Sequence, residues 1–307
     1  MSEANRVSVK SIPEVAYGTT PVGTSSVWQA LRFTSENFSG KPRTQESNEI
    51  NSNRQISDLF VVGQDVDGAL DFEWSADTYD RFMEMAMSDA PVGGVYKIGT
   101  DRYSESVEVG FEDFSPIQFL QFKGFRVSQW DMSFEFGQPV TGNFAFAGNF
   151  AGDSTTSLVG AGSTTASTVT DVMNATADVS NMQIDGAGST ICFQSLNFSL
   201  NNNLRAKECI GSAAPSDQLY GSATITGSVN AYFEDISFYN KLINNTALSL
   251  SWDVSDGTTT YTFFLPKIKF SSGSPDATGK DTDVFLNMDF TALYDATEAS
   301  TMTVTKV

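Results

Sequence analysis

The 307-residue chain contains no histidine. That removes the commonest general base, the commonest metal ligand and the usual pH switch near neutrality. Cysteine is almost as scarce. Cys192 and Cys209 are too few for a disulfide framework or a four-ligand zinc site, and both are expected to be reduced residues of the core. Cations are few as well: 18 Lys and Arg stand against 37 Asp and Glu, a net charge of −19. Such a surface repels nucleic acid phosphates, because binding them depends on Lys and Arg displacing counterions. No apolar run approaches the roughly 18 residues that a membrane span needs. Residues 1–10 lack the basic-then-apolar order of a signal peptide, so a soluble protein made in a cytoplasm is expected. What the chain does have is core material. It is 40% hydrophobic and 12% aromatic, with 24 Phe, enough for one large domain or two of about 150 residues.

Strand signals dominate. Runs rich in Phe, Val, Ile, Thr, Tyr and Trp alternate with polar residues and are broken by Gly, Asn and Asp, as in half-buried antiparallel strands. In residues 66–75, Leu70, Phe72 and Trp74 point one way and Asp67, Asp71 and Glu73 the other. Two segments read as helices. Residues 77–87 open on Asp77 as a cap and carry an apolar stripe through Tyr79, Phe82, Met83 and Ala86; residues 235–243 repeat the idea from Asp235.

Each helix follows a strand that contains a glycine, which points to an internal repeat. Val66-Asp67-Gly68-Ala69-Leu70 matches Ile225-Thr226-Gly227-Ser228-Val229 at an offset of 159. Upstream, Leu31-Arg32-Phe33-Thr34 pairs with Leu196-Asn197-Phe198-Ser199. Downstream, a hairpin of residues 125–136 and 140–147 pairs with one of residues 261–270 and 284–292. The expected organisation is an N-terminal arm (1–24), a first domain (25–150), a linker or surface excursion dense in Gly, Ser and Thr (151–187), a second domain (188–296) and a C-terminal tail (297–307). The arm, with Pro13, Gly18, Pro21 and Gly23, is expected to drape on a neighbour.

Catalytic and metal-binding patterns are weak. A serine or cysteine nucleophile has no histidine beside it, and no Ser-x-x-Lys sits at a helix start. Asp65-Val66-Asp67-Gly68 lacks the third acidic ligand and distal glutamate of a calcium loop, so Asp65, Asp67, Asp71 and Glu73 read as a solvated strand face. Gly160-Ala161-Gly162-Ser163-Thr164 lacks the lysine of a phosphate loop. Asn37-Phe38-Ser39, Asn174-Ala175-Thr176, Asn197-Phe198-Ser199 and Asn244-Asn245-Thr246 fit the glycosylation pattern and read as coincidences of composition. Arg43, Arg54, Arg81, Arg102, Arg126 and Arg205 are scattered singly, which suits salt bridges between subunits better than a nucleic-acid patch. No catalytic, cofactor-binding or metal-ligating residue is therefore expected.

Several stretches carry a resemblance. Glu49-Ile50, Arg54-Gln55-Ile56-Ser57-Asp58, residues 62–74 and Tyr79-Asp80 resemble the tail tube (major tail) proteins of long-tailed, non-contractile bacteriophages. So do Val140-Thr141-Gly142-Asn143-Phe144, Asn202-Asn203-Leu204, Gly221, Ile225-Thr226-Gly227-Ser228 and Tyr232-Phe233. Near the end come Leu265-Pro266, Gly279-Lys280-Asp281 and Phe290-Thr291-Ala292-Leu293-Tyr294-Asp295.

The resemblance implies a mainly β chain of two tandem sandwich or barrel domains, each with one flanking helix. Inner sheets would join between subunits into a closed β-barrel tube. Usual rings of this family hold six tube domains, so a duplicated chain favours a homotrimer over a homohexamer. The implied role is structural: stacked rings form a tail conduit in the virion, assembled in the host cytoplasm, through which DNA is ejected without specific binding. A tape measure protein, tail terminator and distal tail protein are the implied partners. Lumen-facing candidates are Asp67, Asp71, Glu73, Thr141, Asn143, Thr226, Ser228, Asn230, Asn287 and Asp289. Core candidates are Leu70, Phe72, Trp74, Phe82, Val229, Phe233 and Leu242. Two other functions remain open: a capsid-decorating or tail-fibre β-protein, which would form isolated trimers, and a carbohydrate-binding β-sandwich, which would expose Trp and Tyr. Trp28, Trp74, Trp130 and Trp252 sit in strand patterns and are expected in the core.

Overall fold

The computed structural model describes residues 3–50, 52–53, 55–189, 191–276, 279–280 and 282–307. Arg54 and Asp281, two of the residues that carry the resemblance, lie outside the described residues. In chain order the elements are β1 (Val7–Pro13), β2 (Val27–Ala30), β3 (Ser35–Glu36), β4 (Ser39–Glu46), β5 (Leu59–Glu73), α1 (Asp80–Met87), β6 (Val95–Lys97), β7 (Glu105–Phe111), β8 (Gln118–Glu135), β9 (Thr141–Ala147) and β10 (Phe150–Ser154). There follow β11 (Ser163–Thr165), β12 (Val179–Ile184), β13 (Ala187–Gly188), β14 (Phe193–Asn201), β15 (Arg205–Lys207), β16 (Asp217–Leu219), β17 (Thr224–Tyr232), α2 (Ile236–Ile243), β18 (Leu248–Ser255), β19 (Thr260–Asp276), β20 (Phe285–Ala292) and β21 (Thr303–Lys306).

Strand pairing builds one long front sheet. Its order is β4, β5, β9, the C-terminal half of β8, β14, β17, β20 and the C-terminal half of β19, each neighbour antiparallel. Behind it, β11, β2, β1, β7, the N-terminal half of β8 and β10 pair in that order. A second back layer runs β13, β12, β18, the N-terminal half of β19, β21 and β6. The two longest strands pass from back to front. In β8 the passage is eased by Gly124, at φ 68°, and by a register shift between Val127 and Gln129.

The pairings of the first half recur in the second. β4·β5, β5·β9, β9·β8 and β8·β7 have their counterparts in β14·β17, β17·β20, β20·β19 and β19·β18. α1 packs on β8 as α2 packs on β19. The register identifies equivalent residues. Gly68 faces Phe38, whose Cα lies 2.5 Å from where a Cβ would stand, and Gly227 pairs with Phe198. Asn37 Oδ1 accepts the Ala69 N–H at 2.6 Å, and Asn197 Oδ1 accepts the Ser228 N–H at 3.1 Å. The upstream match is thereby corrected: Asn37-Phe38-Ser39, rather than Leu31-Arg32-Phe33-Thr34, corresponds to Asn197-Phe198-Ser199. Leu31 and Phe33 copy the apolar alternation, but they precede the strand. Asn37 and Asn197, which open two of the apparent glycosylation signals, make the same side-chain contact across their strand pairs.

Buried residues of the front sheet meet both back layers in a single aromatic core. Trp130 lies 6.3 Å from Trp74, 5.3 Å from Phe198 and 6.3 Å from Phe263, and Trp252 stacks on Phe263 at 5.4 Å. All four tryptophans are buried, as are Leu70, Phe72, Phe82 and Val229, while Phe233 and Leu242 are half-buried at the margin. Phe238 is the residue that α2 buries.

Several expectations change. Residues 7–13 do not form a loose arm: β1 is an inner strand of the first back layer, paired along its length with β7 and through Lys10 and Ser11 with β2, and Val9 and Ile12 are buried. Within 151–187, β10, β11 and β12 join the back layers and Met173 is buried. β21 of the C-terminal tail is paired on both sides. Cys192 and Cys209 are exposed rather than in the core, since both lie in connections. Asp77 does not cap α1. It adopts φ 61° and its carboxylate pairs with Lys306, tying down the C-terminal strand; Asp235 does cap α2, accepting the Ser237 N–H at 2.9 Å. Four of the six arginines make intrachain pairs, Arg43 with Asp65 and Glu208, Arg81 with Glu84 and Glu105, and Arg102 and Arg126 with Asp217, while Arg54 lies outside the described residues.

Candidate functional site

Alternation along the front strands puts their polar residues on the face away from the core. Register then lines those residues up across the sheet. One rung runs Asp71, Asn143, Asp131, Ser199, Thr226 and Thr291. The next runs Glu73, Thr141, Ser133, Asn197, Ser228, Asp289 and Ser272. A third brings Glu135, Ser195, Asn230, Asn287 and Ser274 together.

The sheet curves around this face to leave an open trough of about 840 Å³. Of the lumen candidates, Asp71, Thr141, Asn143, Thr226, Ser228 and Asp289 line the trough. Glu73, Asn230 and Asn287 flank it on the same face, and Asp67 lies at its β4 rim. Sequence reasoning missed Asp131, Ser133, Asn197 and Ser199, which form the middle of the trough. Their signal was present: Asp131, Ser133 and Glu135 alternate with Trp130, Met132 and Phe134, and Asn197, Ser199 and Asn201 with Phe198 and Leu200.

The trough is acidic and its acids are met by neutral donors. Asp71 accepts from the Ser35 hydroxyl and the Asn143 amide, Asp131 from Gln129 Nε2 at 2.9 Å, and Asp289 from the Ser272 hydroxyl. No Lys or Arg lines the trough among the described residues. Asp67 differs: it accepts from Ser39 Oγ at 3.0 Å and lies 3.6 Å from Lys41 Nζ, so the rim is partly neutralised. Among the described residues, no group of three or more Cys, Asp and Glu is placed to hold a metal ion.

Two sheet edges bound the trough. Among the described residues, neither β4 nor the C-terminal half of β19 pairs with a strand on its outer side. An open edge of this length is a template for another chain. Beyond the trough, the β4–β5 hairpin projects and exposes Leu59, Phe60, Val61 and Val62, with Ile56 nearby.

The profile of a family described as phage tail tube protein matches residues 4–292, nearly the whole chain. The chain belongs to the phage tail tube protein family. No curated protein matches it. As a tail tube protein it is a structural component of the virion tail that assembles with copies of itself into a tube.

Proposed function

We propose that this chain carries two tandem tube units and that three chains close into a ring of six units. The observation that carries this is the join inside the chain. β8, the last front strand of the first half, pairs edge to edge with β14, the first of the second half. The recurrence of the four pairings in both halves supports reading each half as one unit. Heterologous contacts of this kind either close into a ring or run open.

In the closed ring the trough faces inward and the rings stack into the conduit for genome ejection. Three chains at −19 give −57 per ring, and Asp71, Asp131 and Asp289 put part of it on the bore, with no Lys or Arg lining the trough among the described residues. An acidic wall of Ser, Thr and Asn, with no basic residue among the described residues that line it, gives phosphates nothing to bind, so DNA slides. The exposed apolar residues 59–62 are available for contact between stacked rings. A tape measure protein inside the growing tube, and terminator and distal tail proteins at its ends, complete the assembly, which takes place in the host cytoplasm. The burial of all four tryptophans leaves a carbohydrate-binding surface without its usual stacking platform.

Negative-stain microscopy of the purified protein, with mass per ring, tests the proposal. Hollow tubes with three chains per ring are expected. A protein that stays monomeric, or forms isolated trimers that never stack, would overturn it.

A further inference from the structure

We infer that the β8·β14 join inside the chain is the template for the join between chains, with the C-terminal half of β19 pairing antiparallel to β4 of a second copy so that Ser274 stands opposite Ser39. The inference rests on the ring assembly proposed above and adds which residues meet.

The register follows from equivalences already in the fold. Gly68 corresponds to Gly227, so Asp67 corresponds to Thr226. Ser39 pairs with Asp67 as Ser199 pairs with Thr226, which makes Ser39 the counterpart of Ser199. On the other side, Leu70 pairs with Phe144 as Val229 pairs with Met288, so Asn143 corresponds to Asn287. Asp131 pairs with Asn143 and Ser274 with Asn287, so Asp131 corresponds to Ser274. Inside the chain Asp131 stands opposite Ser199. Between chains, Ser274 therefore stands opposite Ser39.

The edges are prepared for this. Asn37 donates its N–H to Ala69 O of β5 at 3.2 Å, so alternation turns Phe38 and Gly40 outward. The outward Phe38 N–H is held at 3.1 Å by the Glu36 carboxylate, where a partner carbonyl would arrive. Its counterpart Phe198 instead pairs with Met132 of β8. On the β19 side, Ser271, Ser272, Ser274 and Asp276 are exposed. The same register places Lys41 of one copy opposite Ser272 of the next, as Asn201 stands opposite Gln129 within the chain. Pro275 takes the place of Met132, and Pro42 that of Asn202, whose N–H donates to Ser128 O at 2.9 Å within the chain, so the join between chains has two backbone donors fewer than the join within. Pro42 and Pro275 also limit what else either edge can pair with.

Ser39 turns its backbone toward β5, so the 39/274 pair is a non-hydrogen-bonded one. The Cα separation of such pairs, about 4.5 Å, lies within disulfide range. The test places Ser39→Cys and Ser274→Cys in one chain with Cys192→Ser and Cys209→Ser, oxidises assembled tubes and resolves them on a non-reducing denaturing gel. A reducible ladder ending at three chains is expected, with most of the protein in the closed trimer. Asp131→Cys with Ser199→Cys should close within the chain and leave a monomer, and Ser39→Cys with Asp276→Cys should link poorly. If the double variant assembles badly, mixing chains carrying Ser39→Cys with chains carrying Ser274→Cys should give dimers only. Intact tubes in which 39/274 fails to link, or in which 39/276 links better, would overturn the register and leave the ring standing. A ladder ending at six would keep the register and overturn the count. Wild-type protein that never forms rings would remove both.

Discussion

Replacing Asp131 and Asp289 by Lys reverses two acids in the trough at small cost to the fold. Asp131 loses its bond to Gln129 Nε2 and Asp289 its bond to the Ser272 hydroxyl, each worth about 1 kcal/mol. Among the described residues neither carboxylate has a cationic partner, so no cation among them is orphaned. Two reversals in each of three chains place six lysines around every ring of the bore. If each engages one phosphate, affinity for DNA acquires a steep salt dependence. Six or so phosphate contacts correspond to about a 10³-fold loss between 50 and 200 mM salt. Phage carrying D131K/D289K should assemble normal tails and, when ejection is triggered, release DNA slowly at 50 mM salt and close to the wild-type rate at 200 mM. Dye-detected DNA release in vitro reads both. Wild-type release should show no comparable salt effect. Doubly substituted phage that ejects at the wild-type rate in low salt would refute the placement of this face at the bore.

Three further outcomes follow from the packing. Trp130→Ala removes a ring that touches Trp74, Phe144, Phe198 and Phe263 across both halves, and should cost about 3–5 kcal/mol. Calorimetry should then show one transition at lower temperature, whereas two separate transitions would mean the halves have independent cores. Gly68→Ala and Gly227→Ala should each destabilise by about 1–3 kcal/mol, because the added Cβ would meet Phe38 Cα at 2.5 Å in one case and Asn197 O at 2.2 Å in the other. A large cost at one glycine and none at the other, by chemical denaturation, would contradict their equivalence. Glu105 is fully buried near Arg81, 3.3 Å away, and burial raises its pKa to about 7. The unfolded chain therefore ionises first, so stability falls as pH rises from about 4.5 through 7, by on the order of 3 kcal/mol. Glu105→Gln should abolish that slope in melting temperature against pH, and a slope that persists would assign it elsewhere.

How far the sequence could be read depended on whether a pattern was local. The alternation of β5 keeps Asp71 and Glu73 half-buried on the polar face and buries Leu70 and Phe72, with Trp74 just past its end, and period-2 arithmetic is enough to see it. Asp235 behaves as a cap for the same reason, since its partner Ser237 is two residues away. Asp77 has the same local signature, yet a lysine 229 positions along the chain takes its carboxylate. Nothing local announces that competition. β1 was obscured by the prolines and glycines that follow it, and β10, β11 and β12 are strands through their partners rather than their composition. The trough was half legible. β5, β9, β17 and β20 supplied its candidates; the polar faces of β8 and β14 are just as legible in their alternation, but their place at the middle of the trough depends on pairing between the halves.

The central claim is that the polar face of the front sheet lines the bore of a three-chain ring. A cross-sectional reconstruction of assembled tubes by cryo-electron microscopy tests it most directly. The account predicts three copies per ring, with Asp71, Asp131 and Asp289 at the inner wall and α1 and α2 outside the barrel. A ring of six copies, or a bore lined by the back layers with the trough facing outward, would contradict it.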